Sequence, residues 1–278
     1  MGSGRDRSHR TVFRGYQMRV LVGLFLAIFA IRSAIAQTGG SGLAPPYSDI
    51  ITDRPDVTES SIVVPVGTLQ FENGFTWTAD HGAQSIDFSQ TLIRLGISNK
   101  MEFRFVVPDY VHGVGTIPIQ SGFEDLAIGF KRQLGPLPGG VDLSVIVAVS
   151  IPSGARPVSS GGYDPFVKFP WSKDLERGWS IGGMQSLFWN TDGDRRNGIW
   201  EPTFYLEKQI TKPLDAFMEY AGDYAQHGGS KQLAHFGAAF RLNANNQVDF
   251  HFGFGLNRET PNHFFAVGYS VKLDHLWK

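Results

Sequence analysis

Five stretches of the chain bring together residue types that could do chemistry. "HGGS", His227 to Ser230, sets an imidazole close to a hydroxyl. A nucleophile and its base must be held by rigid elements, and a glycine-rich loop provides none, so hydrolysis carries little weight here. "NTDGDRRNGIWE" spaces acids like a calcium loop, which needs an oxygen ligand at the fifth position and glycine at the sixth. Counted from Asp192, those positions hold Arg196 and Asn197, so a solvated turn is the better reading. "GVGTIPIQSG" has glycines but lacks the strand-turn-helix setting of a phosphate cradle. His251 shares a strand face with Asp249 and suits a polar lining better than a base, while His263 and His275 fall at strand ends. The densest group is "ITDRPDVTESSIVVPVG", where Asp53, Arg54, Asp56 and Glu59 surround Pro55 just before a β-branched run. None of these stretches makes the chain an enzyme, and none calls for a cofactor or a metal.

The elements around these residues are β. The 278 residues include 33 glycines and are 13% aromatic, which favours a β architecture over a helical bundle. A net charge of -1 offers no concentrated basic face, so nucleic acid is not an expected partner. The one long apolar run, "RVLVGLFLAIFAIRSAIAQ", follows scattered arginines and ends in Ala34-Ile35-Ala36. That pattern reads as a secretory signal peptide over 1–36, cut after Ala36; Met18 is an alternative start. Export permits disulfides, yet there are 0 cysteines, so stability must come from a large core or from a membrane entered as strands.

After a Gly- and Pro-rich linker, the period from Thr68 onward is two. In "NQVDFHFGFGL", Val248, Phe250, Phe252, Phe254 and Leu256 face one way; Gln247, Asp249, His251, Gly253 and Gly255 face the other. "VDLSVIVAVSI" (141–151) and "MEFRFVV" (101–107) divide in the same way. About twelve such strands are expected, with ten or fourteen open, and their typical length of about ten residues suits a tilted strand crossing a bilayer. They fall near 68–78, 84–97, 101–108, 123–132, 141–151, 163–170, 178–190, 199–210, 214–224, 232–242, 246–256 and 262–273. The connections "SNK", "TKP" and "NANN" are tight, whereas 108–122, 152–162 and 190–198 read as longer loops. The stretches near 132–140 and 171–177 are longer than their side of a barrel prefers. The final strand, Phe265, Val267, Tyr269, Val271 and Leu273 with Trp277 beyond, resembles an insertion signal for the barrel-assembly machinery.

A soluble sandwich would alternate too. Here the polar faces mix acids and bases with small residues, and Trp77, Trp179, Trp189 and Trp200 lie near strand ends, as an aromatic girdle would. The expected fold is therefore all-β, a transmembrane antiparallel up-and-down barrel over 67–278 in the bacterial outer membrane, with lipid as its surroundings. Glu72, Arg94, Glu102, Arg104, Lys131, Glu219, Asp249 and His251 are the candidate lumen residues that would bias permeation.

The run Thr52, Asp53, Arg54, Pro55, Asp56, Thr58, Glu59, Ser60, followed by Gly67, Gln70 and Glu72, resembles the opening of a family of outer-membrane proteins labelled for phenol meta-pathway degradation. "LIRLGISNKMEFR", "GFEDLAIGFK" and "IPSG" extend the resemblance over most of the mature chain. It implies a barrel with a loose transporter role and brings no catalytic residues with it. The expected function is passive or facilitated passage of small solutes, hydrophobic or aromatic ones included. The alternatives are a structural or adhesive barrel and, with less weight, a barrel hydrolase acting on lipid. Two readings of residues 37–66 stay open: a solvated periplasmic lead-in, or a segment tucked into the lumen with Asp53, Arg54, Asp56 and Glu59 paired to wall charges.

Overall fold

The computed structural model describes residues 49–114 and 121–277. The signal peptide expected over 1–36, the linker through residue 48 and the middle of the 108–122 loop lie outside the described residues. Strands run in order as β1 (Leu69–Asp80), β2 (Ala83–Ser98), β3 (Met101–Val106), β4 (Tyr110–Val114), β5 (Gly122–Phe123), β6 (Leu126–Gln133) and β7 (Asp142–Ile151). They continue as β8 (Asp164–Asp174), β9 (Trp179–Asp192), β10 (Arg195–Thr211), β11 (Leu214–Ala225), β12 (Lys231–Asn243), β13 (Asn246–Gly255) and β14 (His263–Leu273).

β3 and β4 are two pieces of one stave, since β2 pairs with β3 through Leu92 to Ser98 and with β4 through Gln84 to Phe88. β5 and β6 pair with those pieces in turn and form the next stave. The fourteen segments therefore make twelve staves, each antiparallel to its neighbours, and β1 pairs with both β2 and β14. The sheet is closed, leaving no edge whose amides would meet lipid unpaired.

Three expected connections are shorter or more ordered than the sequence suggests. The 190–198 loop is a tight turn at Gly193-Asp194, because β9 runs to Asp192 and β10 begins at Arg195. Gly193, at φ 59, supplies the left-handed residue the hairpin needs. The 171–177 stretch continues β8 to Asp174 and ends in a single 3-10 turn, Glu176–Gly178. Within 108–122, Tyr110–Val114 remains paired in the wall.

The burial pattern is the reverse of a globular core. Glu72, Arg94, Glu102 and Lys131 have no exposed surface, whereas Phe250, Phe252, Phe254, Phe265 and Val267 are more than two-fifths exposed. Burying charges and exposing rings is ruinous in water but natural where the outside is hydrocarbon and the inside can pair every charge. β13 shows the pattern residue by residue, with Gln247, Asp249 and His251 buried and the phenylalanines between them exposed. Trp77, Trp189 and Trp200 lie toward one end of the barrel; Trp179 lies at the other, its ring 5.2 Å from Lys208 Nζ.

Candidate functional site

Residues 50–64 carry no regular hydrogen-bond ladder of their own, and their backbone groups find partners on the barrel wall instead. The segment begins where Ile50 N donates to Ala244 O at 2.7 Å. Asp53 N and Arg54 N donate to Glu72 on β1, and Val57 N and Thr58 N donate to Glu219 on β11, each of these at 2.8 to 3.1 Å. Ser61 Oγ meets Ser172 Oγ of β8 at 2.7 Å, and Val64 N donates to Glu102 of β3 at 2.7 Å. The segment thus touches walls on opposite sides of the lumen before Gly67 leads into β1. Pro55, within it, has no amide to leave unsatisfied.

The charges form one neutral cluster. Asp53 lies 3.3 Å from Arg94, 2.5 Å from Arg104 and 2.8 Å from Lys131. Glu59 bridges Arg104 at 2.5 Å and Lys168 at 2.6 Å. Arg94 also holds Glu72 and Glu102 at 2.9 Å each, and donates to the carbonyls of Ile51 and Ile62. Asp53, Glu59, Glu72 and Glu102 therefore balance Arg94, Arg104, Lys131 and Lys168, and none of the eight side chains is more than 16% exposed. Burial opposes ionisation of Asp53, yet Arg94, Lys131 and Arg104 outweigh it and hold the carboxyl well below the usual range. Burial likewise opposes ionisation of Glu59, and Arg104 with Lys168 reverses the balance.

Arg54 occupies a notch built by absence. Gly74 and Gly268 are register partners on β1 and β14, and a Cβ on either would overlap the Arg54 guanidinium. From the notch Arg54 reaches Asp249 at 3.4 Å, His251 Nε2 at 3.4 Å and Gln90 Oε1 at 3.3 Å. Behind it, His251 Nδ1 lies 2.5 Å from His235 Nε2, and His235 Nδ1 lies 3.0 Å from Glu219 Oε2. Phe217 packs edge-on against the His235 ring, and Phe264 packs edge-on against His251.

Asp56 is placed differently. Burial first, then Glu219, Glu207 and Asp249, push its carboxyl well above the usual range. A cavity of about 290 Å³ lies beside it, bounded by the segment and by Asp142, Asp174, Tyr205, Glu207 and Arg241. Among the described residues no group of His, Asp and Glu has the arrangement of a metal site.

The eight wall candidates read from the sequence, Glu72, Arg94, Glu102, Arg104, Lys131, Glu219, Asp249 and His251, all lie against this segment, and most of their polar atoms are engaged by it. The motif residues Asp53, Arg54 and Glu59 supply the opposite partners; Asp56 has none of the cations. Sequence reasoning passed over His235, Gly74 and Gly268, and met Thr58 only as part of the family motif. His235 shares the inward parity of β12, but only the register that sets it opposite Glu219 gives it a role. His227 and Ser230 lie apart from the cluster, in the β11–β12 connection, where Asn257 Nδ2 donates to Ser230 O at 2.7 Å and Asn197 Nδ2 to His227 O at 2.9 Å.

Comparison with solved structures finds the same fold in outer-membrane channels. An outer membrane channel from Pseudomonas putida F1 superposes with a TM-score of 0.62 at 13% identity, over 77% of this chain and 98% of that one. The NanC porin gives 0.53 at 10% identity, over 74% and 100%. The KdgM porin gives 0.50 at 8% identity, over 73% and 98%. At these identities the likeness is one of fold. Among curated proteins no relative matches the sequence. The closed barrel, its inverted surface and these neighbours locate the protein in the bacterial outer membrane, with lipid around its aromatic exterior. A family model matches residues 52–273, from the charged knot to the end of the last strand, and the chain belongs to the family described as "Putative MetA-pathway of phenol degradation".

Proposed function

We propose that the protein is a channel for small solutes, hydrophobic and aromatic ones included, and that residues 49–66 form a lumen segment that sets its bore. The carrying observation is the neutral ion cluster on the inner wall. A lumen built only to be filled is most cheaply packed with apolar side chains, since a buried ion pair is often no more stable than its apolar replacement. A cluster with no net charge, fastened to a segment that has no secondary structure of its own, suits a closure that can be rearranged in water. Transport is thus favoured over an enzyme, because Glu219, His235 and His251 lie against hydrogen-bonding partners and the Thr58 hydroxyl that bonds Glu219 is buried with it rather than open to a substrate.

Charge selection in this reading comes from Glu72, Arg94, Glu102, Arg104, Lys131, Glu219, Asp249 and His251 once the segment shifts. The last strand, with its exposed Phe265, Val267, Tyr269 and Leu273, is the part offered to the barrel-assembly machinery. The test is flux of small aromatic and aliphatic solutes into liposomes carrying the mature protein, beside a variant lacking residues 49–64. Flux that rises on deletion supports the reading; no flux and no conductance in either protein refutes it.

A further inference from the structure

We propose that Arg54, His251, His235 and Glu219 form a proton-operated latch, which holds the N-terminal segment to the β11–β13 wall at neutral pH and releases it on acidification. The argument is a count of donors and acceptors. Arg54 can only donate, and an ionised Glu219 can only accept. The direction of every bond between them is then fixed: Arg54 donates to His251 Nε2, His251 Nδ1 donates to His235 Nε2, and His235 Nδ1 donates to Glu219 Oε2. Both rings are neutral in this arrangement, and no acceptor is left over. Glu219 is equally full, taking Val57 N and His235 on Oε2 and both the amide and the hydroxyl of Thr58 on Oε1.

An added proton therefore displaces something. On His251 Nε2 it puts an N–H and a positive charge against the Arg54 guanidinium. On His235 Nε2 it turns the second ring around, so that its remaining N–H again faces Arg54. On Glu219 it removes an acceptor used by Val57 or Thr58. In each case the lost bond is one that ties residues 54–58 to the wall, and the lost partner belongs to the segment. Phe217 and Phe264 flank the rings, and both histidines are buried, so the added charge is poorly solvated.

The charged groups facing the pair are Glu219 on β11, Asp249 on β13, and Arg54 and Asp56 on the segment. Asp249 accepts from Arg54, so protonating it loosens the segment in the same sense. Asp56 acts in the opposite sense, because burial and then Glu219, Glu207 and Asp249 push its carboxyl well above the usual range when docked, so a falling pH favours docking there. Release of the segment frees His251 Nε2, so the adjacent pair of rings can share one added proton, and within the histidine range each lower pH unit then weakens docking about tenfold.

The latch rests on the channel reading only for its consequence, that release changes the bore. Its test follows amide hydrogen exchange of the segment in the mature protein in lipid vesicles, in a D56N background that removes the opposing carboxyl. Protection at Val57 and Thr58, corrected for intrinsic exchange, is expected to fall about tenfold per unit below about pH 6.5. In D56N/H235Q/H251Q, where Gln keeps donors and acceptors but cannot take a proton, it is expected to stay flat; D56N/H235N/H251N provides a second comparison should the first fail to insert. Protection unchanged down to about pH 5.5 in D56N, or the full slope surviving in both variants that lack the two histidines, overturns the latch. Conductance recorded on the same samples separates the two ideas. A pH-dependent segment in a barrel that never conducts leaves the latch standing and ends the channel reading, whereas a conducting barrel whose segment ignores pH does the reverse.

Discussion

Replacing Asp53 with alanine leaves Arg94, Arg104 and Lys131 sharing Glu102, Glu72 and Glu59, and the buried cluster acquires one uncompensated positive charge. Three cations within 3.3 Å lose a partner, together with the Ser60 amide that donates to Asp53 at 3.0 Å. Breaking a buried pair from one side costs about 3–5 kcal/mol. The segment can escape that cost by leaving the lumen, so the measured loss is capped by its docking free energy. K131M creates the opposite imbalance at the same place, since Lys131 Nζ touches Asp53 and the Ser60 carbonyl. The double variant D53A/K131M restores neutrality and is expected to be less perturbed than the sum of the singles by about 2 kcal/mol or more, a coupling typical of directly contacting groups. The assay is amide exchange of Val64, whose N–H is tied to Glu102 at 2.7 Å, with urea unfolding in phospholipid vesicles as a check on the barrel itself. Additive effects within about 0.5 kcal/mol refute the idea that the cluster is one electrostatic unit. Loss of the barrel's unfolding transition along with Val64 protection refutes the idea that the segment is separable from the wall.

The remaining expectations are shorter. D56N is expected to raise segment protection at neutral pH, because docking no longer requires a raised carboxyl to take up a proton; unchanged protection in exchange measurements counts against it. Asp53 and Glu59 have depressed values, so their contribution is present above about pH 4 and is lost as pH falls further. Exchange measured below that point should show a second loosening that H251Q does not alter. G268A is expected to unseat Arg54 as fully as R54A does, with the double variant no worse than either, since one Cβ and the guanidinium compete for one space; additive effects on exchange would show that the notch does not hold Arg54. F252R, on the exposed face of β13, should cost about 2–4 kcal/mol in urea unfolding from vesicles if that face meets the bilayer midplane, and an unchanged midpoint places it elsewhere.

The strands were legible because their evidence is local. Phe250, Phe252 and Phe254 alternate with Asp249, His251 and Gly253 whatever lies next door, and closure then follows from having no edge to spare. Turn lengths were less legible: "NTDGDRRNG" is polar enough for a loop, yet Arg195 and Arg196 remain in the ladder opposite Asp192 and Thr191. Such residues are tolerated where a hairpin projects beyond the membrane and its strands no longer need an apolar face.

What the sequence could not give was the pairing across the lumen, and the reason is geometric. Glu219 and Glu72 lie on staves far apart in the chain and face one lumen segment only because the sheet closes with a particular stagger. The segment between them has no period to read, since its backbone bonds go to side chains. Even so, the motif carried a usable constraint: charges that precede a lipid-crossing strand cannot rest in hydrocarbon, and each needs a partner of opposite sign if buried. Asp53, Arg54 and Glu59 meet that condition against the wall, and Asp56 does not. The exception is informative, because a carboxyl held among Glu219, Glu207 and Asp249 weakens the docked state at neutral pH. The segment is therefore fastened at Asp53 and Glu59, loosened at Asp56 and balanced on a proton at His251, an arrangement in which modest chemistry at the middle of the motif can shift the whole.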